Sequence, residues 1–168
     1  MTKHNIKIAI SLLAVIAVAV MVFCFSAQDG QHSSKLSGAI SQWVLNRLIP
    51  GFADMTAAQR APYLERWGFY IRKAAHFSEF ALLAATLINF LHYVLVDRGL
   101  SFMAMTAWAL TTLYACTDEF HQMFVKSRGP SLRDVCIDSA GALAGALFGL
   151  AILLLRMACK RRKAGSAD

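Results

Sequence analysis

The chain has 168 residues, is 57% hydrophobic and carries a formal net charge of +7, with a mean hydropathy of +0.49. Such a chain is either one unusually apolar soluble domain or a small integral membrane protein. The basic excess does not make it a nucleic-acid binder, because no stacking platform or base-reading motif accompanies the charge.

Segment lengths decide for the membrane. Ile8 to Phe25 is an apolar stretch whose only polar member is Ser11, about the length a helix needs to cross the hydrocarbon core. Lys3 and Lys7 would suit the start of a signal peptide, but the apolar run is too long and Phe25-Ser26-Ala27 lacks the small-x-small cleavage pattern. Val22 and Phe23 before Cys24 do not resemble a lipoprotein cleavage site either. The stretch is expected to stay as an anchor.

The next segment, Ser26 to Arg72, is patterned. From Lys35 to Leu48 the residues Leu36, Ile40, Trp43, Val44 and Leu48 recur at helical spacing, and Pro50-Gly51 ends the run. Leu64, Trp67 and Ile71 mark a second helical stretch. Its start is set either by Thr56 and Gln59, which resemble a capping box, or by Pro62 in the first turn. Both stretches suit helices lying in the membrane interface, and packing on the outer ends of the spans is the equal alternative.

Further spans are predicted at Ala74 to Val96, Leu100 to Cys116 and Val135 to Leu155. The third is short and diluted by Thr106, Thr111 and Thr112, so a re-entrant hairpin is its alternative. The expected fold is all-α: an integral membrane bundle of four transmembrane helices with two interfacial helices between spans one and two. Residues 8–157 form the transmembrane domain and residues 158–168 a basic cytoplasmic tail, expected to be frayed from Lys160 to Asp168. The run Lys160-Arg161-Arg162-Lys163 just beyond the last span places both termini in the cytoplasm. The charge is then chiefly a matter of topology and anionic lipid, with the bilayer as partner.

The ionisable residues near the spans fall in two clusters. One runs from Arg72 to Phe80 and the other from Asp118 to Gln122, followed by Arg128, Arg133, Asp134 and Asp138. Burying such groups at a bilayer is costly, so they need pairing, an aqueous cavity or a function. On a helix Lys73, His76 and Glu79 share a face, and Asp118 lies on one face with His121 and Gln122. Arg72 and Lys73 stand at a helix start, and Asp118 and Glu119 near a helix end, each with the sign that the helix dipole disfavours. The base-rich start of span two is therefore expected to meet the acidic end of span three in a compensating ion-pair network, with a charge swap of Lys73 and Glu119 as its test. Ser131 and Asp134 form a capping-box pattern. Asp138 shares the stripe Gly141, Gly145, Gly149, which permits close helix packing.

His76, Glu79, Asp118, Glu119 and His121 also supply enough nitrogen and oxygen for a metal site serving a hydrolase or transferase, although they lack a two-histidine zinc motif. No cofactor is implied, and the metal question stays open. Cys116 and Cys136 both fall near the outer ends of spans, and sequence leaves their pairing open.

The pattern K-x-x-H-F-x-E, then D-E-x-H-Q, an arginine-bearing turn, R-D-V and a glycine-striped last span resembles the VanZ-like membrane proteins. Phe25-Ser26-Ala27-Gln28 is similar to the family's F-S-x-Q, and Ser34 to Gly38 to its serine-rich continuation. Phe80 stands where many relatives have tyrosine, and Lys126-Ser127 where Pro-Gly is usual. The resemblance implies a role in the bacterial cell membrane: lowered susceptibility to lipoglycopeptides such as teicoplanin, through a site that contacts the antibiotic, a cell-wall precursor or a lipid headgroup. The side chains offered for it are Lys73, His76, Glu79, Asp118, Glu119, His121, Gln122, Arg128, Arg133, Asp134 and Asp138. A metal-dependent enzyme acting on a lipid headgroup and a purely structural ion-pair network are the alternatives. Oligomeric state is not legible.

Overall fold

The computed structural model describes residues 2–129 and 131–164. It is all-helical among these residues: α1 (Lys3–Ser26), α2 (Gly30–Leu48), a 3-10 turn (Phe52–Asp54), α3 (Ala57–Val94), α4 (Leu100–Gln122) and α5 (Leu132–Ala164). Four of these helices, α1, α3, α4 and α5, are long and apolar enough to cross a membrane. The third span is thus a continuous helix and not a re-entrant hairpin. The chain reads as a multi-pass membrane protein.

Helix boundaries follow local chemistry. Thr2 caps α1, its hydroxyl accepting from the Asn5 N–H at 3.3 Å. Ile49 ends α2, and Gly51 then turns the chain at φ 75, a conformation that costs glycine little. Thr56 and Gln59 form the capping box that starts α3, and Pro62 lies inside the helix. The second stretch of the outer segment is therefore no separate interfacial helix: it is the first part of α3. At 38 residues, α3 is about 57 Å long, well beyond the ~30 Å hydrocarbon core. Lys160 to Lys163 likewise continue α5 as helix instead of fraying; residues 165–168 lie outside the described residues.

α3 is the hub, and its contact with α5 is the most extensive in the molecule. Phe77, Ala81 and Ala85 face Gly141, Gly145 and Gly149 in turn. Because both series ascend together, the helices run parallel, as spans two and four of a bundle must. A Cβ on Gly141 or Gly145 would meet the backbone of Phe77 or Ala81, so glycine sets the helix separation there. The core beside this seam comprises Ala84, Ile88, Leu91, Met103, Ala107, Ala142, Ala146 and Leu153. Large apolar side chains such as Leu13, Leu113 and Leu155 point outward, which suits lipid as the surrounding solvent.

α2 packs on α3 with an unexpected face. Ser37, Ser41 and Leu45 are buried, whereas Leu36, Ile40, Trp43 and Leu48 are exposed. The apolar stripe read from the sequence is thus largely exposed, with Leu36 and Ile40 reaching the cavity beside α3. The small serines let α2 lie close against Gly68 and Arg72 of α3.

Candidate functional site

The two polar clusters meet at the end of the bundle where α1 finishes, α3 overhangs and α4 turns into α5. Ser26, the last residue of α1, donates its hydroxyl to Asp118 Oδ2 at 2.7 Å. The Gln122 side chain donates to Ser26 Oγ at 2.7 Å and to Asp118 Oδ2 at 2.9 Å. Asp118 and Gln122 share an α4 face because they are one turn apart, and Ser26 ties that face to α1. Both are buried, so the trio satisfies polar groups that would otherwise be costly.

The turn after α4 is held from two sides. Gly30 N–H donates to Lys126 C=O at 3.2 Å, and Glu119 Oε2 accepts the Ser131 N–H at 2.9 Å. A Cβ on Gly30 would collide with Ser127 O. Ser127 itself has φ 61, a left-handed conformation that glycine adopts far more cheaply. Pro130 of the predicted turn lies outside the described residues.

The expected contact between Lys73 and Glu119 does not form. Lys73 Nζ instead pairs with Asp134 Oδ2, the only ion pair among the described residues. The reason is geometric: α3 and α5 lie parallel and close along the glycine seam, which brings Lys73 and Asp134 together across it, while Glu119 is committed to the Ser131 backbone. Asp134, read as the partner of a capping serine, serves α3 instead.

Around this frame lie two adjoining cavities of about 240 and 200 Å³, both bordered by Ser33, Arg72, His76 and Arg128. The first has an apolar flank of Phe25, Leu36, Ile40 and Ile71 and reaches Glu79. The second is polar and reaches Lys73, Gln122 and Asp134. Arg72 donates to the hydroxyls of Ser34 and Ser37, at 3.3 and 3.0 Å. The Arg128 side chain makes no direct hydrogen bond or ion pair among the described residues; its charged neighbours at longer range are Asp118, Glu119, Glu79 and Arg72. Partial burial lowers its pKa from the ordinary arginine value, and those carboxylates oppose the shift. The guanidinium stays charged.

Of the residues read from the sequence, Lys73, His76, Glu79, Gln122, Arg128 and Asp134 border the cavities. Asp118, Glu119 and Asp138 are buried behind them. His76 Nδ1, Glu79 Oε2 and both Asp138 carboxylate oxygens are buried without a protein hydrogen-bond partner. Two residues lie elsewhere: His121 packs against Phe23 with ring centroids 4.8 Å apart, and the Arg133 guanidinium sits 4.8 Å from the Phe69 ring. With His121 directed to α1, no group of three His, Cys, Asp or Glu side chains among the described residues is arranged to hold a metal ion. All four cysteines are free and exposed, Cys116 and Cys136 included.

Arg72 falls in the first polar cluster of the sequence, and Ser26 and Ser34 to Gly38 in the family resemblance, but neither they nor Ser33 are among the side chains offered for the site. The signal was present: Ser34, Ser37 and Ser41 recur at helical spacing, about a quarter-turn round the helix from the centre of the apolar stripe.

No curated protein and no solved structure matches this chain. A family model described as VanZ/LLP1 matches residues 11–156, a stretch that runs from within α1 past the glycine stripe of α5 and takes in every residue of both cavities, and on that match the chain belongs to the VanZ/LLP1 family.

Proposed function

We propose that this protein captures an amphiphile with an anionic head at the outer face of the bacterial cell membrane, both termini lying in the cytoplasm. The carrying observation is that Arg72 and Arg128 border the same two cavities with neither guanidinium in direct contact with a carboxylate. A guanidinium grips carboxylate or phosphate through paired donors. The adjoining flank of Phe25, Leu36, Ile40 and Ile71 suits an acyl chain. Lys73 and Asp134 brace the wall, Glu119 holds the turn that carries Arg128, and Asp118 ties α4 to α1 through Ser26. Ligands of this chemistry include an acylated glycopeptide such as teicoplanin and a lipid-linked cell-wall precursor; binding of the first would account for lowered susceptibility.

The test has two arms. The chain is expressed in a susceptible host, and inhibitory concentrations of teicoplanin and of vancomycin, which lacks the acyl chain, are compared. Expected is a rise for teicoplanin alone, lost in Arg128→Gln and retained in His121→Ala. In the second arm, Gly129→Cys in a cysteine-free background is labelled with a water-soluble maleimide, with teicoplanin or a cell-wall lipid precursor present. Failure of both to slow labelling sinks the binding reading. Protection by the precursor alone detaches resistance from the site.

A purely structural network is the second reading, favoured by the Lys73–Asp134 pair spanning α3 and α5. It requires Arg128→Gln to alter stability and labelling without any dependence on ligand.

A further inference from the structure

The opposite end of the bundle holds a separate feature. α1 and α5 both pack along α3 but barely touch one another. Between them lies a cleft of about 470 Å³, floored by Ala14, Leu82, Ile88 and Phe148 and rimmed by Asn89, Tyr93 and Arg156. Its volume is that of an ordinary ligand pocket, for which about 300–1,000 Å³ is usual.

Arg156 of α5 lines its rim, and Lys7 of α1 lies beside the rim residue Tyr93. Arg156 Nη1 donates to Asn89 Oδ1 at 3.2 Å, which fixes the guanidinium and leaves its other donors uncommitted. No carboxylate pairs with Arg156 among the described residues. Lys160 and Arg156 are the charged neighbours of His92. From α1, Lys7 Nζ lies 6.0 Å from the Tyr93 ring centroid and the His4 ring packs edge-on at 6.5 Å. α5 carries no acidic residue from Ser139 through Ala164. The C-termini of α3 and α5 would by themselves repel an anion, so the side chains must supply the attraction, helped by the α1 N-terminus at the same end.

We propose that the cleft between α1, α3 and α5 binds one anionic phospholipid, its phosphate held by Arg156 with Lys7 and Lys160 nearby and its acyl chain lying on the apolar floor. Two observations and one general principle select this occupant. The cleft opens sideways between helices whose exposed side chains are apolar. Its floor is apolar while its rim is basic, which matches the two ends of a phospholipid. Basic pockets between spans are also where anionic headgroups lodge. The site is independent of the cavities at the other end and of what they bind.

The full chain in neutral detergent is titrated with dioleoyl phosphatidylglycerol, dioleoyl phosphatidylcholine or inorganic phosphate, and thermal unfolding is followed. Phosphatidylglycerol is expected to raise the midpoint saturably by several degrees, and the other two to leave it unchanged. Arg156→Gln should weaken the apparent affinity at least tenfold. Asn89→Ala, which only frees the guanidinium, should weaken it less, and Arg161→Gln should titrate like the unmodified chain. Equal responses to the two lipids overturn the proposal, as does an Arg161→Gln loss matching that of Arg156→Gln, which would mark diffuse surface attraction. A response to phosphate alone would mark an anion pocket and equally overturn it. If Arg156→Gln fails to fold, Ala14→Phe, which fills the floor from α1 and lies outside the α3–α5 seam, must abolish the phosphatidylglycerol response or the proposal falls.

Discussion

Gly145→Ala tests the packing that positions the polar site. A Cβ at Gly145 would lie 2.5 Å from the Ala81 carbonyl carbon and 2.6 Å from Ala81 Cα, against an ordinary carbon separation of about 3.5–4.0 Å. The obstacle is backbone, so no rotamer change relieves it, and α3 and α5 must move apart by about 1 Å. At Gly149 the new Cβ would be 3.1 Å from Ala85 Cα and 3.2 Å from Ile88 Cβ, a misfit of a few tenths of an ångström. Overpacking costs about 1–3 kcal/mol, and replacing a mid-helix glycine by alanine returns about 1 kcal/mol. A backbone obstacle puts Gly145→Ala in the upper half of that range, about 2–3 kcal/mol, so the net destabilisation should be about 1–2 kcal/mol, while Gly149→Ala stays near zero. Adding Ala81→Gly to Gly145→Ala should not rescue it, because removing the Ala81 methyl leaves the obstructing carbonyl and Cα in place. Equilibrium unfolding in mixed SDS micelles, followed by tryptophan fluorescence, measures the difference. Gly145→Ala as stable as the parent, or rescued by Ala81→Gly, would refute the parallel α3–α5 register on which the Lys73–Asp134 pairing depends.

Three further outcomes follow from the same geometry. Ser127→Gly should stabilise by about 1 kcal/mol in the same unfolding assay, because the residue sits at φ 61 and a left-handed conformation costs a non-glycine residue about that much; a loss of stability would show that the Ser127 side chain supports the turn. Lys73→Asp combined with Asp134→Lys should recover most of the stability lost by either single change, whereas exchanging Lys73 with Glu119 should recover none. Asp138, 1% exposed with neither carboxylate oxygen hydrogen-bonded to protein, should tolerate Asp138→Asn with equal or higher stability; a drop of more than about 1 kcal/mol would mean that the ionised carboxylate is held by a partner.

Hydropathy made the four spans legible because a bilayer sets a minimum apolar length that few other constraints imitate. Helix ends were readable where capping chemistry is local, as at Thr56 and Gln59 or Pro50-Gly51. What failed were statements about which neighbour a face meets. The apolar stripe of α2 left interface and packing as equal readings, because in a membrane protein apolar surface is no cue to the interior: lipid accepts it as readily as protein does. The small residues carry the packing instead. Ser37 and Ser41 against Gly68, and Gly141 to Gly149 against Phe77 to Ala85, are the same device used twice.

That logic also explains the mispaired charges. Dipole signs alone joined Lys73 to Glu119, because they say which charges need compensation but not which helices lie together. The glycine stripe on α5 was visible in the sequence, and its partner on α3 was not, since Phe77, Ala81 and Ala85 read as ordinary span residues. Once that seam is formed, Asp134 lies beside Lys73 and Glu119 is free to hold the Ser131 backbone. Arg128 is then carried on a turn anchored by a carboxylate, and its own guanidinium needs none. The feature that matters most to the proposed binding site, an arginine left without a direct acidic partner, is thus a consequence of how closely two helices approach far along the same seam. Substitutions at Gly145 should accordingly disturb labelling at Gly129→Cys although the two positions lie in different parts of the fold, and an undisturbed labelling rate in a destabilised Gly145→Ala would separate the seam from the site.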